Sequence, residues 1–160
     1  MVKVKESSYS YYDVNYKDIN KNKYKEIIAS PKCKNINDLF SVLHEIGHCR
    51  GFRDLSQKRK ILRWIYSSIL SEQEGIHNCS HLNSEIYAWL YVFDCVKTYY
   101  YKDLINICIP SFISYLENST RKRKKYWIKK LKRKIVNKIL ANSRKQSKNI
   151  IEKTLKEFNL

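Results

Sequence analysis

Glycine and proline are scarce, at three and two in 160 residues. Few tight turns can be built without them, so the chain reads as mostly helical. Long uncharged apolar runs are missing too. The most apolar stretch, residues 86–116, is interrupted by Asp94, Lys97, Lys102 and Asp103, which excludes a transmembrane span there. The N-terminus, Met1-Val2-Lys3-Val4-Lys5-Glu6, lacks the apolar region of a secretory signal. The cysteines (Cys33, Cys49, Cys79, Cys95 and Cys108) are odd in number and form no Cys-x-x-Cys pair. They read as free, buried thiols in a reducing, cytoplasmic setting rather than a disulfide framework. No internal repeat is visible. Acidic residues are absent from one region: residues 121–148 carry 14 basic side chains and no acid, whereas residues 1–120 hold 16 basic and 13 acidic ones. The net charge of +17 therefore belongs mainly to the C-terminal part, and the remainder is close to neutral.

What is present is enough apolar residue, 43%, for the core of one compact domain. Residues 1–23 are rich in Tyr, Ser and Lys with little periodicity and read as a loosely structured lead-in. Residues 24–30 read as a short strand, ended by Pro31. Asn35–Asp38 offers helix N-caps, and Leu39, Val42, Leu43 and Ile46 then recur at helical spacing. Gly51 reads as the stop of this helix, with Arg50 favourable at its end. A second helix is expected over 56–70, with Ile61, Leu62, Ile65 and Ile69 on one side, and a loop over 72–80. A third opens at His81 or Asn83 and runs to about Tyr100, and a fourth covers 102–118. A long basic helix follows over 121–160, broken near Asn142–Ser143. The expected fold class is α+β and mostly helical, divided into the 1–23 lead-in, a 24–118 domain and a 119–160 basic amphipathic helical extension.

The residues that carry chemistry are His44-Glu45-Ile46-Gly47-His48. Positions i and i+4 of a helix lie one turn apart on one face, so both imidazoles can meet one ion. Zinc takes nitrogen ligands at about 2.0–2.1 Å and, in catalytic sites, keeps one position for water. Glu45 follows the first histidine and can sit beside that water as general base, the arrangement of zinc-assisted peptide hydrolysis. With 4 His and 9 Glu in the chain, the pattern is expected by chance about 0.005 times.

A third ligand is required. The metzincin pattern needs a histidine six residues after His48, where Asp54 stands; Asp54 as a ligand is a minor option. Glu85, in Asn83-Ser84-Glu85-Ile86-Tyr87-Ala88-Trp89, is the better candidate, the alternative being a solvated helix glutamate. His81 stands one turn before Glu85 and can donate to the oxyanion. The segment His77-Asn78-Cys79-Ser80-His81 also reads as a polar loop with incidental histidines, or as a rival zinc site. Cys49 points about 100° away from His48 and reads as core packing.

A strand, an HExxH helix and a later helix with Glu-x-x-Ala-Trp resemble the gluzincin class of zincin metallopeptidases. The resemblance is in particular to the small ImmA/IrrE-like metallopeptidases common in phages, prophages and mobile elements, over roughly residues 24–100. It implies zinc on His44, His48 and Glu85, with Glu45 as catalytic base and a protein or peptide substrate cut inside the cell. Trp89 stands where some gluzincins place a carboxylate that orients a histidine, so the groups behind the ligands are unassigned.

In the tail, Arg121, Lys122, Arg123, Lys124, Lys125, Lys129, Lys130, Lys132 and Arg133 alternate with Trp127, Ile128, Leu131, Ile135, Ile139 and Leu140. This is an amphipathic basic helix whose apolar face can dock on the domain or on a partner. Its charge fits nucleic-acid phosphates, an acidic protein or an acidic membrane surface, or is simply solvated. No base-reading motif accompanies it. The expected function is zinc-dependent proteolysis. The alternative is a nucleic-acid-associated or virion structural protein that keeps a zincin fold without proteolysis.

Overall fold

A computed structural model of the chain describes residues 2–7, 9–18, 21, 23–62, 79–117 and 119–157. The architecture is α+β and mostly helical, with one small sheet. Strands β1 (Val2–Glu6), β2 (Tyr11–Asp18) and β3 (Lys23–Ser30) lie in the order β1-β3-β2. The central strand β3 pairs in parallel with β1 and antiparallel with β2. Residues 2–18 thus form two strands rather than the loose lead-in that composition suggested. Their outward positions are polar and Val4 stays exposed, so no buried stripe marks them. What makes them strands is pairing with β3 across the chain, a tertiary effect that local preference does not report.

Helix α1 (Ile36–Arg53) opens as expected at Asn35, whose side chain accepts from the Asn37 and Asp38 N–H groups at 2.9 and 3.0 Å. The Asp38 carboxylate accepts from the Asn35 N–H at 3.2 Å, completing a capping box. The helix does not stop at Gly51. It runs on to Arg53 and is capped at Asp54. Gly51 is there for contact, since a Cβ on it would lie 2.8 Å from Cδ1 of Tyr87.

Residues 57–62 are helical, and the rest of the expected second helix and most of the following loop lie outside the described residues. Helix α2 (Cys79–Cys95) begins before His81 and ends short of Tyr100; Thr98–Tyr100 is a separate 3-10 turn. Helix α3 spans Tyr101–Ser114, shorter than expected, and α4 spans Arg121–Glu157. No break occurs at Asn142. Its side chain donates to the Phe93 carbonyl at 2.9 Å and to the Tyr101 hydroxyl at 2.8 Å, docking the helix instead of ending it. No helix among the described residues is long and apolar enough to cross a membrane.

One core joins the helices. Phe40 of α1, Ile86 and Phe93 of α2, Leu104 and Phe112 of α3 and Trp127, Leu131 and Ile135 of α4 belong to it. The basic helix is therefore built into the domain rather than appended to it. Among the cysteines, Cys49 and Cys108 are buried, but Cys33 and Cys95 are exposed, against the expectation of uniform burial.

The sheet is tied to α1 by a buried carboxylate. Glu26 of β3 is 4% exposed and receives Arg53 Nε at 2.9 Å, Arg53 Nη2 at 2.6 Å and the Tyr12 hydroxyl at 2.9 Å. Burial pushes its carboxyl pKa up, but the Arg53 and Tyr12 hydrogen bonds outweigh that and hold it below the ordinary 4.5. A lowered folded-state value means that the carboxylate stabilises the fold above pH 4.5 and loses that contribution as the pH falls through the lowered value. Glu26→Gln is expected to cost about 2–3 kcal/mol near neutral pH. In urea titrations the gap between wild type and variant should shrink as the pH falls below 4.5; a gap of unchanged size on acidification would contradict this assignment.

Candidate metal centre

The site is made by the close packing of α1 on α2. At Gly47, inside the His44–His48 turn, a Cβ would lie 2.8 Å from both the Cα and the carbonyl oxygen of Ala88. Only a residue without a side chain lets the two backbones approach that closely. His44 and His48, flanking Gly47 on α1, are thereby brought against Glu85 of α2.

The three side chains converge. His44 Nε2 lies 3.1 Å from Glu85 Oε2, His48 Nε2 lies 3.1 Å from Glu85 Oε1, and the two Nε2 atoms are 3.0 Å apart. All three residues are buried, at 5%, 8% and 3% exposure. With a proton on each Nε2 the two imidazoles can hydrogen-bond the two carboxylate oxygens, whereas with both Nε2 atoms unprotonated the three groups present only lone pairs to one another. A cation at the centre of the triangle satisfies them together. The edges, 3.0–3.1 Å, are a few tenths of an ångström shorter than the about 3.3–3.4 Å between tetrahedral ligands at about 2.0–2.1 Å, a gap that small side-chain shifts open. The group can hold a metal ion.

Electrostatics agree with the geometry. Burial drives the His44 pKa down, favouring the neutral, ligating imidazole. Burial opposes the charged form of Glu85, but the facing His48 and His44 overcome it and hold the carboxyl well below its ordinary range. His48 Nδ1 donates to Ser84 Oγ at 2.9 Å in the tautomer that leaves Nε2 free to ligate. Ser84 thus does the orienting that the sequence left unassigned. The His44 ring rests on Trp89, with centroids 4.2 Å apart. Its Nδ1 has no hydrogen-bond partner among the described residues.

Glu45 is not part of the triangle. Burial pushes its carboxyl up to about 7, with His48 lowering it, Glu85 raising it and the Tyr12 main-chain N–H lowering it. That is the range in which a carboxyl can both take and return a proton near neutrality. His81 lies beside the group, its Nε2 3.5 Å from Glu85 Oε1, and its ring packs on Tyr115 at 5.6 Å. Tyr115, at the C-terminal cap of α3, hydrogen-bonds Glu85 through its hydroxyl. Burial, then the Glu85 and Glu45 carboxylates, raise its pKa. No motif or spacing in the sequence marks Tyr115, which reaches the site only through the α2–α3 packing.

Asp54 stays outside the group: it caps α1 and accepts from the Tyr87 hydroxyl at 3.0 Å. Cys49 is buried against Glu26, with Sγ 3.5 Å from Oε1. The rival arrangement of His77 and Cys79 with His81 involves side chains outside the described residues. Of the basic residues of α4, Arg121, Lys122, Lys125, Lys129, Lys132 and Arg133 are exposed, whereas Arg123, Lys124 and Lys130 are partly buried. In comparisons with known proteins, no family model, no curated protein and no solved structure matches the chain.

Two substitutions test the construction. Gly47→Ala gains about 1 kcal/mol of helix propensity, yet should destabilise the protein by about 2–3 kcal/mol because the new methyl meets the Ala88 backbone. Thermal or urea unfolding of the variant measures the sign. With zinc as the probe ion, competition against a chromogenic chelator should show tight binding by wild type and none by His44→Ala or Glu85→Ala. Ser84→Ala should bind about 10–100-fold more weakly. Unchanged zinc affinity in all three variants would rule out the site.

Proposed function

We propose that the protein is a zinc-dependent peptidase of gluzincin type, with His44, His48 and Glu85 as the metal ligands and Glu45 as general base. The observation that carries this reading is the buried triangle closed by Glu85, thirty-seven positions beyond His48, with Glu45 on the same helix as both histidines. Two histidines, a carboxylate and an adjacent acid with a raised pKa suit hydrolysis of an unactivated acyl bond.

When bound, zinc supplies a Lewis acid that polarises the scissile carbonyl and acidifies a water molecule. Glu45 takes the proton of the attacking water and hands it to the leaving amine nitrogen. Burial raises the Glu45 carboxyl pKa, which favours the return of the proton after it is taken. His81 and Tyr115 border Glu85 and offer an N–H and an O–H to the negative charge that develops on the carbonyl oxygen. Ser84 fixes the tautomer and orientation of His48. Proteins or peptides are the substrate class, cut in the cytoplasm, in the manner of small enzymes encoded by phages and mobile elements.

Glu45→Gln separates catalysis from metal binding. The variant should retain zinc in the chelator assay while cleavage of an unfolded casein substrate falls about 10²–10⁴-fold. Cleavage at the wild-type rate would remove Glu45 from its role. A zinc-loaded wild type that cuts neither casein nor a degenerate peptide library would leave a zincin fold kept for structure.

A further inference from the structure

We propose that the outer face of α4, from Arg121 to Arg133, binds duplex nucleic acid through its phosphate backbone without reading sequence. This surface belongs to a different part of the molecule from the His44–His48–Glu85 group. α1 packs on α2 and the sheet, whereas α4 packs on α2 and α3.

The fold divides α4 into two faces. Trp127, Leu131 and Ile135 are buried in the core. Two cations turn inward: Lys130 donates to Asn83 at 2.9 Å, and Lys138 pairs with Asp94 at 2.6 Å. What remains outward is a row made of Lys122, Lys125, Lys129, Lys132 and Arg133, all exposed, with exposed Arg121 at its start. Neighbours three and four positions apart in this row carry like charge and repel. No acidic side chain lies between 121 and 148 to relieve them. The compensating anion therefore has to come from outside the helix.

Charge density selects the anion. Six exposed cations between Arg121 and Arg133 occupy about 18 Å of helix, or one per about 3 Å. A nucleic-acid strand carries one phosphate per about 3.4 Å. Along Arg121–Arg133 a bilayer surface is disfavoured because Trp127 and Leu131 are buried and Ile128 is half-buried, which leaves Tyr126 as the exposed apolar side chain there. A single strand is disfavoured because Tyr126 is the one exposed aromatic ring within the row, too little for a stacking platform. A straight, solvent-facing cationic rod suits the rigid phosphate edge of a duplex.

The test uses the full chain and fluorescein-labelled 30-base-pair duplexes, read by anisotropy between 50 and 300 mM KCl. Two unrelated sequences should bind alike, with a slope of log K against log salt of about −4 to −6. Lys125→Glu, Lys129→Glu and Arg133→Glu combined should weaken binding at least about 100-fold, with circular dichroism and zinc affinity unchanged. Reversing Lys3, Lys34 and Lys58 alters net charge equally, away from α4, and should have little effect. Any of four results would overturn the proposal: equal loss in the two triple variants, a flat salt dependence, tighter binding to an unstructured single strand or phosphatidylserine vesicles, or equal competition by polyglutamate.

Discussion

Backbone contact between α1 and α2 at Gly47 and Ala88 is the constraint on which the molecule turns. At that distance no side chain fits between the helices, and a cost comes with the choice, because glycine weakens a helix interior. The return is reach. Histidine and glutamate side chains are short, and their donor atoms stand about 3 Å apart across the interface only because the helix axes are pressed together. Gly51, one turn on, repeats the device against the Tyr87 ring, so the contact runs along the helix rather than touching at one point.

A helix clamped this closely on one side must also be held on the other, and buried charge does that work. Glu26 of β3 and Glu85 of α2 are both nearly inaccessible, and each takes its partners from α1: Arg53 for Glu26, His44 and His48 for Glu85. An unpartnered buried carboxylate costs several kcal/mol, so both acids fix the rotation of α1 about its axis. Tyr12 links the two sides, its hydroxyl on Glu26 and its main-chain N–H on Glu45. The position of the proposed base is thus coupled to the sheet. This is why strands that look nondescript in the sequence matter to the site.

The reading of the sequence succeeded where chemistry and periodicity coincide. Two histidines four apart in a helical pattern, and a helix N-cap within Asn35–Asp38, are local facts and emerge as such. Glu85 was singled out as a carboxylate near the start of a separate helix and then supported by resemblance, since thirty-seven residues of spacing carry no geometric information by themselves. Ser84 and Tyr115 were not legible at all, because a hydroxyl near a metal site leaves no spacing signature. Gly51 misled because a glycine that ends a helix and one that admits a neighbour look identical in sequence. Asn142 misled for a related reason. Its weak helix preference suggested a break, but its partner Phe93 lies 49 residues away. The strands of residues 2–18 were missed because pairing, not burial, makes them.

The basic helix is where sequence and fold differ most in meaning. Read alone, residues 119–160 are an appendage with a spare apolar face. In the fold much of that face is taken by the core, leaving the charge exposed together with Tyr126, Val136 and Leu140. α2 stands between the two ends of this arrangement. One side of it supplies Ser84 and Glu85 to the histidines, and another receives Lys130 at Asn83 and Lys138 at Asp94. α4 is thereby joined directly to the helix that carries Glu85. The chemistry of the triangle and the charge of the rod can be varied separately, but both are anchored to the position of α2, and that position is set by the contact at Gly47.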